Sequence, residues 1–168
     1  VGGAQGMNAP MVLSPESLAK IDQAIAKYPP DQRKSAVMAA LTIAQDEKGW
    51  LSNVTMDFVA HYLGMPPIAV YEVASFYTMY DLKPTGKYKL TICTNLPCAL
   101  QGANAAAVHL KQKLGIGFNE TTTDGKFTLK EGECLGACGD APVVLMNNKR
   151  MLCAMTPDRL DALLKDLT

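Results

Sequence analysis

Long apolar runs, aromatic side chains and charge are all scarce in this sequence of 168 residues. It has no stretch of eighteen consecutive apolar residues, which excludes a bilayer-spanning helix and predicts no direct membrane insertion. Aromatic residues make up 7% and charged residues 19%. Charge is thus below the roughly one quarter usual for soluble chains, so part of the surface is expected to face a partner. Sixteen basic residues balance sixteen acidic ones. Through Tyr80 there are five basic and seven acidic residues, and beyond it eleven and nine. Neither half carries a field that would gather nucleic acid or an anionic membrane surface. No Gly-x-Gly-x-x-Gly follows a predicted strand and no Cys-x-x-Cys is present, so a dinucleotide fingerprint and a thiol–disulfide exchange motif are both missing. The first thirteen residues have neither a basic start nor a continuous apolar segment, which predicts no signal peptide and a reducing compartment.

What the chain does have is ample Leu, Ile, Val, Ala and Met to bury, and two different periodicities. Residues 1–13 read as a flexible tail and residues 14–82 as a small helical bundle. Ser14-Pro15 is a helix start, followed by a stripe of Leu18, Ile21, Ala24, Ile25 and Tyr28. Pro29-Pro30 stops that helix, and Asp31 is expected to cap the next, which carries Val37, Ala40, Leu41 and Ala44 and ends at Gly49. A third helix is expected after Thr55, with Phe58, Val59, Tyr62 and Leu63 before Gly64. A fourth follows Pro66-Pro67 with Val70, Val73, Ala74 and Tyr77 inward. The period changes beyond Lys83-Pro84-Thr85-Gly86, and residues 83–168 read as a second unit. There Lys87 to Cys93 alternates, Gln101 to Leu114 forms a helix, and Phe127-Thr128-Leu129 is a strand. Val143 to Leu152 is a hairpin around Asn147-Asn148, and Thr156-Pro157 opens the last helix. The order β-α-β-β-β-α makes the whole an α+β protein, a bundle followed by a sheet unit.

Chemistry concentrates in Cys93-Thr94-Asn95-Leu96-Pro97-Cys98 and Cys134-Leu135-Gly136-Ala137-Cys138, two pairs that both follow predicted strands. Loops leaving one sheet edge can approach each other, and two thiolates from each can chelate one iron apiece with sulfides bridging the irons. Gly102, Gly132, Gly136 and Gly139 would allow the close backbone approach that N–H bonds to sulfur need. Four thiolates also suit a structural zinc ion, and in an oxidising compartment the same residues could form disulfides. Spacing leaves these alternatives open.

Further motifs narrow the field: Gly49-Trp50, Val73-Ala74-Ser75-Phe76-Tyr77-Thr78-Met79-Tyr80, Thr123-Asp124-Gly125-Lys126-Phe127, and Ala141-Pro142-Val143 behind the second cysteine pair. With them the chain, from about Ser14 onward, resembles the thioredoxin-like [2Fe-2S] subunit of bacterial respiratory complex I, the NADH-quinone oxidoreductase. The resemblance implies a thioredoxin-like ferredoxin domain after the bundle, with Cys93, Cys98, Cys134 and Cys138 as the four ligands of one [2Fe-2S] cluster. It further implies a subunit without a complete active site, docked on a flavoprotein that carries FMN and NADH, among other subunits of a peripheral arm. One electron would pass between that FMN and the cluster. Such a subunit would lie on the cytoplasmic side, peripheral to the inner membrane. Related subunits occur in NAD-reducing hydrogenases and formate dehydrogenases, and a zinc-stapled interaction module is the alternative of another class. Cys153, in a predicted strand, reads as a buried core thiol, and His61 and His109 as surface residues. The helical spacing of Phe76 to Tyr80 predicts core packing rather than a partner-facing patch. Both isomers of the bond before Pro142 are open.

Overall fold

The computed structural model describes residues 12–167 and divides into two compact units, meeting at Pro84 and Thr85. Residues 1–11 of the expected tail lie outside the described residues, whereas Leu13 is packed into the core of the first unit.

That unit holds four helices: α1 (Pro15–Ile25), α2 (Val37–Lys48), α3 (Asn53–Leu63) and α4 (Pro67–Phe76). Ser14 caps α1 by accepting from the Ser17 amide, and its hydroxyl also donates to Glu47 Oε2 at 2.9 Å. One serine thus starts the first helix and ties it to the second. Pro30–Ala36 is a 3-10 segment, and α2 begins only at Val37 with no side-chain cap. Asp31 is therefore not its cap, because the chain winds through this 3-10 segment before regular α geometry starts. Gly49 ends α2 at φ +82°, a left-handed position where glycine has no Cβ penalty. α3 starts before Thr55, earlier than expected, because Ser52 supplies the cap, accepting from the Thr55 amide. Ile21, Ala40, Leu41, Val59, Leu63 and Val70 form the core.

The expectation for Phe76 to Tyr80 is corrected. Tyr80 is buried and donates to the Met38 carbonyl at 2.9 Å, but Phe76 is 77% exposed and Tyr77 40%. α4 ends at Phe76, so helical periodicity no longer governs where these rings point. Gln45 fixes the segment that follows, donating to the Met79 carbonyl and accepting from the Asp81 amide at 2.6 Å.

The second unit is built on β1 (Tyr88–Cys93), β2 (Glu120–Thr121), β3 (Phe127–Gly132), β4 (Val144–Met146) and β5 (Arg150–Leu152). The strands lie in the order β2-β3-β1-β4-β5, with β1 and β3 parallel and the other pairs antiparallel. Helices α5 (Leu96–Leu100) and α6 (Ala103–Leu114) connect β1 towards β3, and α7 (Pro157–Asp166) follows β5. The helix expected from about Gln101 to Leu114 is α6, which starts behind Gly102 with φ +91°, and α5 is a further short helix inside the first cysteine loop. β2, with only two residues, is an addition to the expected elements. Leu90, Ile92, Ala106, Leu110, Leu129, Val144 and Leu160 pack as one core between sheet and helices. Burying each such leucine is worth about 1.5–3 kcal/mol relative to exposure. Asn147 and Asn148 take φ of 52° and 57°, the geometry of the tight turn that the hairpin requires.

His109 is half-buried rather than a free surface residue: its Nε2 lies 2.7 Å from Asp161 Oδ1, which joins α6 to α7. His109, and secondarily Lys113, hold the Asp161 carboxyl below the usual range.

Candidate metal centre

Parallel pairing puts the ends of β1 and β3 side by side, with Cys93 opposite Gly132. Each strand then runs into one cysteine loop, so both loops leave the same sheet edge. The approach is close enough to require glycine: a Cβ on Gly132 would stand 2.9 Å from Thr91 Cγ2 and 3.3 Å from the Ile92 carbonyl oxygen. Gly136, in the middle of the second loop, takes φ +71°. Gly139 has neither a positive φ nor a close neighbour.

Cys93 and Cys98 are buried, at 1% and 2% exposure, in a small apolar group with Ala103 and Val143, flanked by Leu135, Ala137 and Ala141. Cys93 is the last residue of β1, and its amide donates to the Val143 carbonyl at 3.1 Å. Cys98 lies within α5, behind Pro97 in the first turn. Burial pushes the Cys98 thiol up to about 11, with a hydrogen bond to Cys93 and the proximity of Cys93 and Cys138 adding to the rise. Cys134 and Cys138 are exposed, Cys138 opening a 3-10 turn, Cys138–Asp140. The Cys93 Sγ lies 3.0 Å from the carbonyl oxygen of Glu133, the residue before Cys134. All five cysteines are free thiols.

Two backbone hydrogen bonds support the second loop. The Ala154 amide donates to the Asp140 carbonyl at 2.7 Å and the Met155 amide to the Pro142 carbonyl at 2.8 Å. The Ala141–Pro142 bond between them is cis. Cys153 is half-buried just beyond β5, not a buried strand thiol as expected. β5 ends at Leu152 and the chain turns at Ala154, with φ 51°, towards the second cysteine loop.

The donor chemistry suits an iron–sulfur cluster: four thiols on two loops with an apolar wall behind them. Among the described residues, no group of three or more His, Cys, Asp or Glu side chains stands ready-made as a metal cage. Cys93 and Cys138 both act on the Cys98 thiol, and Cys134 adjoins the carbonyl that Cys93 meets, yet the outer pair stays turned to solvent.

A mixed sheet that ends in two paired-cysteine loops has the build of a small ferredoxin. A model of the thioredoxin-like [2Fe-2S] ferredoxin family matches residues 21–168, and the chain belongs to that family. The match takes in most of the helical unit as well as the sheet. A subunit of the NADH-quinone oxidoreductase of Rickettsia bellii is 42% identical over 153 residues, covering 90% of this chain and 91% of that one. NADH-quinone oxidoreductase subunit 2 of Thermus thermophilus is 42% identical over 147 residues, 88% of this chain and 81% of its own. Among solved structures, an NAD+-reducing [NiFe]-hydrogenase shares the fold over 83% of this chain, with TM-score 0.70 at 23% identity. This chain spans 24% of that hydrogenase chain. Among the described residues, no helix is long and apolar enough to cross a membrane.

Proposed function

We propose that this chain is the electron-carrying subunit of the NADH-oxidising module of an NADH-quinone oxidoreductase. Cys93, Cys98, Cys134 and Cys138 would hold one [2Fe-2S] cluster. FMN and NADH would reside on a partner flavoprotein, within a peripheral arm on the cytoplasmic side of the inner membrane. When bound, such a cluster supplies a one-electron acceptor and donor of low potential.

The observation that carries the reading is that the two cysteine-bearing segments leave the adjoining ends of β1 and β3, with the Cys93 Sγ 3.0 Å from the carbonyl of Glu133 beside Cys134. The protein's own part follows from the structure. The β1 end and α5 hold Cys93 and Cys98 against Val143, which keeps water from that side of the site. The second loop presents Cys134 and Cys138 at the surface, where a redox partner can approach. Identity of 42–48% to subunits of NADH-quinone oxidoreductase, over most of the chain, favours that parent over a hydrogenase, whose likeness is one of fold.

Anaerobic reconstitution with iron and sulfide tests the site. The expected result is two irons and two sulfides per chain, visible absorption, and an EPR signal on reduction. Zinc retained in place of iron in the protein purified from its native host would overturn the reading. Co-purification from that host tests the partner, and a flavin-free set of companions would overturn that half.

A further inference from the structure

Asn95 occupies the N-cap position of α5, with extended φ and ψ of −62° and 158°. An asparagine there ordinarily turns its side-chain oxygen onto an amide of its own helix. Asn95 makes no such bond. Its Nδ2 instead reaches 38 residues along the chain, donating to the Glu133 carbonyl oxygen at 2.7 Å, with Glu133 Oε2 3.5 Å away. Both neighbours are acceptors only, which settles that the NH2 end of the amide faces them. The same carbonyl receives the Cys93 Sγ. One oxygen, in the residue before Cys134, is therefore held from the first loop by a thiol and by an amide. Alongside it, Thr94 Oγ1 donates to Glu131 Oε1 at 2.7 Å and the Thr94 amide to the Gly132 carbonyl at 3.3 Å.

The two contacts to Glu133 differ in what metal binding does to them. A cysteine that ligates a metal has lost its proton, so Cys93 can no longer donate to the carbonyl. The amide of Asn95 keeps both its hydrogens whatever the thiols do. We propose that Asn95 is a positioning residue for the metal centre, tying the first cysteine loop to the second through Glu133 and setting the span across which the two thiolate pairs meet. The proposal rests on the cluster reading above, and it explains why an N-cap residue forgoes its local bond. A carboxylate at the same position would have no hydrogen to give and would face the Glu133 oxygens with like charge.

The test uses the full chain with Asn95→Ala and Asn95→Asp, the second nearly equal in size to the parent residue but without the donor. Two probes are applied: titration with cadmium, followed by thiolate-to-metal absorption, and the rate at which a reconstituted cluster is lost to an iron chelator. Groups that orient metal ligands are typically worth 10–100-fold in metal affinity, so both variants should bind cadmium at least about tenfold more weakly and lose iron correspondingly faster. The unfolding midpoint of the metal-free variants should stay at the parent value, a readout that a merely structural role would lower. Parent-like cadmium affinity in either variant would overturn the proposal, and so would a loss of affinity matched by an equal loss of metal-free stability. A parent chain that binds cadmium through its thiols but never assembles iron and sulfide would sink the cluster reading instead, and the Asn95 comparison would still be decided by the cadmium titration.

Discussion

The two cysteine pairs of the proposed site are held in opposite ways. Cys93 and Cys98 are built into regular structure, one ending β1 and one inside α5, and both are buried against Val143 and Ala103. Cys134 and Cys138 sit on a loop with a left-handed glycine between them, and both are exposed. The inner pair is thus part of the core of the sheet unit, and its geometry comes from the fold. The outer pair owes its place to a few backbone and side-chain bonds: Asn95 to Glu133 on one flank, Ala154 to Asp140 on the other. Folding alone therefore prepares half of the proposed site, and on that proposal the other half would be completed by what it binds.

Serine substitution is the sharpest way to break that comparison. Each of Cys93, Cys98, Cys134 and Cys138 changed to Ser should abolish or severely weaken cluster assembly, whereas Cys153→Ser should keep it, as measured by iron and sulfide content. The metal-free chains should then separate the pairs. Cys93→Ser and Cys98→Ser place a hydroxyl in an apolar group and should cost about 1–3 kcal/mol in denaturant unfolding. Cys134→Ser and Cys138→Ser lie at the surface and should stay within about 0.5 kcal/mol of the parent. Equal losses from all four would show that the outer pair is as built-in as the inner one.

Gly132→Ala probes the point where the loops diverge. The added methyl would meet Thr91 Cγ2 at 2.9 Å and backbone at 3.3 Å, between strands that cannot easily part. Overpacking of that kind costs about 1–3 kcal/mol, readable as a lower unfolding midpoint. Because β1 and β3 meet there, cluster retention should fall as well. A variant with parent stability would mean that the edge yields freely, and that the inner pair is less firmly set than its burial indicates.

How much of this was legible in the sequence follows from the range over which each feature is determined. Ser14-Pro15, Gly49 and Asn147-Asn148 act through neighbours within a turn, and each marks an element where it was expected. Leu90 and Ile92 announce a strand by alternation and are fully buried. By contrast, β2 exists only because Glu120 and Thr121 pair with Leu129 and Thr128, a contact that two residues cannot signal. α5 is five residues long and was hidden inside the cysteine loop. Phe76 and Tyr77 continue the spacing of α4 but lie where the helix stops, so their periodicity misled. Of the proposed site, the four thiols stand out in the sequence because their chemistry is local to two short motifs. Asn95 was not, because nothing near it in the chain points to Glu133.

The smallest expected effect concerns charge beside the outer pair. Glu133 precedes Cys134, and Asp140 lies two residues after Cys138; both are exposed. An oxidised two-iron cluster with four thiolates carries a charge of about −2, and reduction adds one more. A nearby carboxylate therefore disfavours the reduced form, while backbone N–H groups of the loop favour it. Glu133→Gln and Asp140→Asn should each raise the midpoint potential, measured by an EPR-monitored titration. Solvent and salt weaken the interaction, since screening acts over about 10 Å at 0.1 M ionic strength. The shift should therefore be a small fraction of the range of about −700 to +450 mV that such centres span, and it should shrink further as salt is added. Glu133 carries a second role, because its carbonyl is the oxygen that Asn95 and Cys93 both reach. Glutamine leaves that carbonyl in place, so the cluster should be held as firmly as in the parent. A downward shift in both variants would refute the electrostatic account, and a lost cluster in Glu133→Gln would show that its carboxylate as well as its carbonyl holds the outer loop.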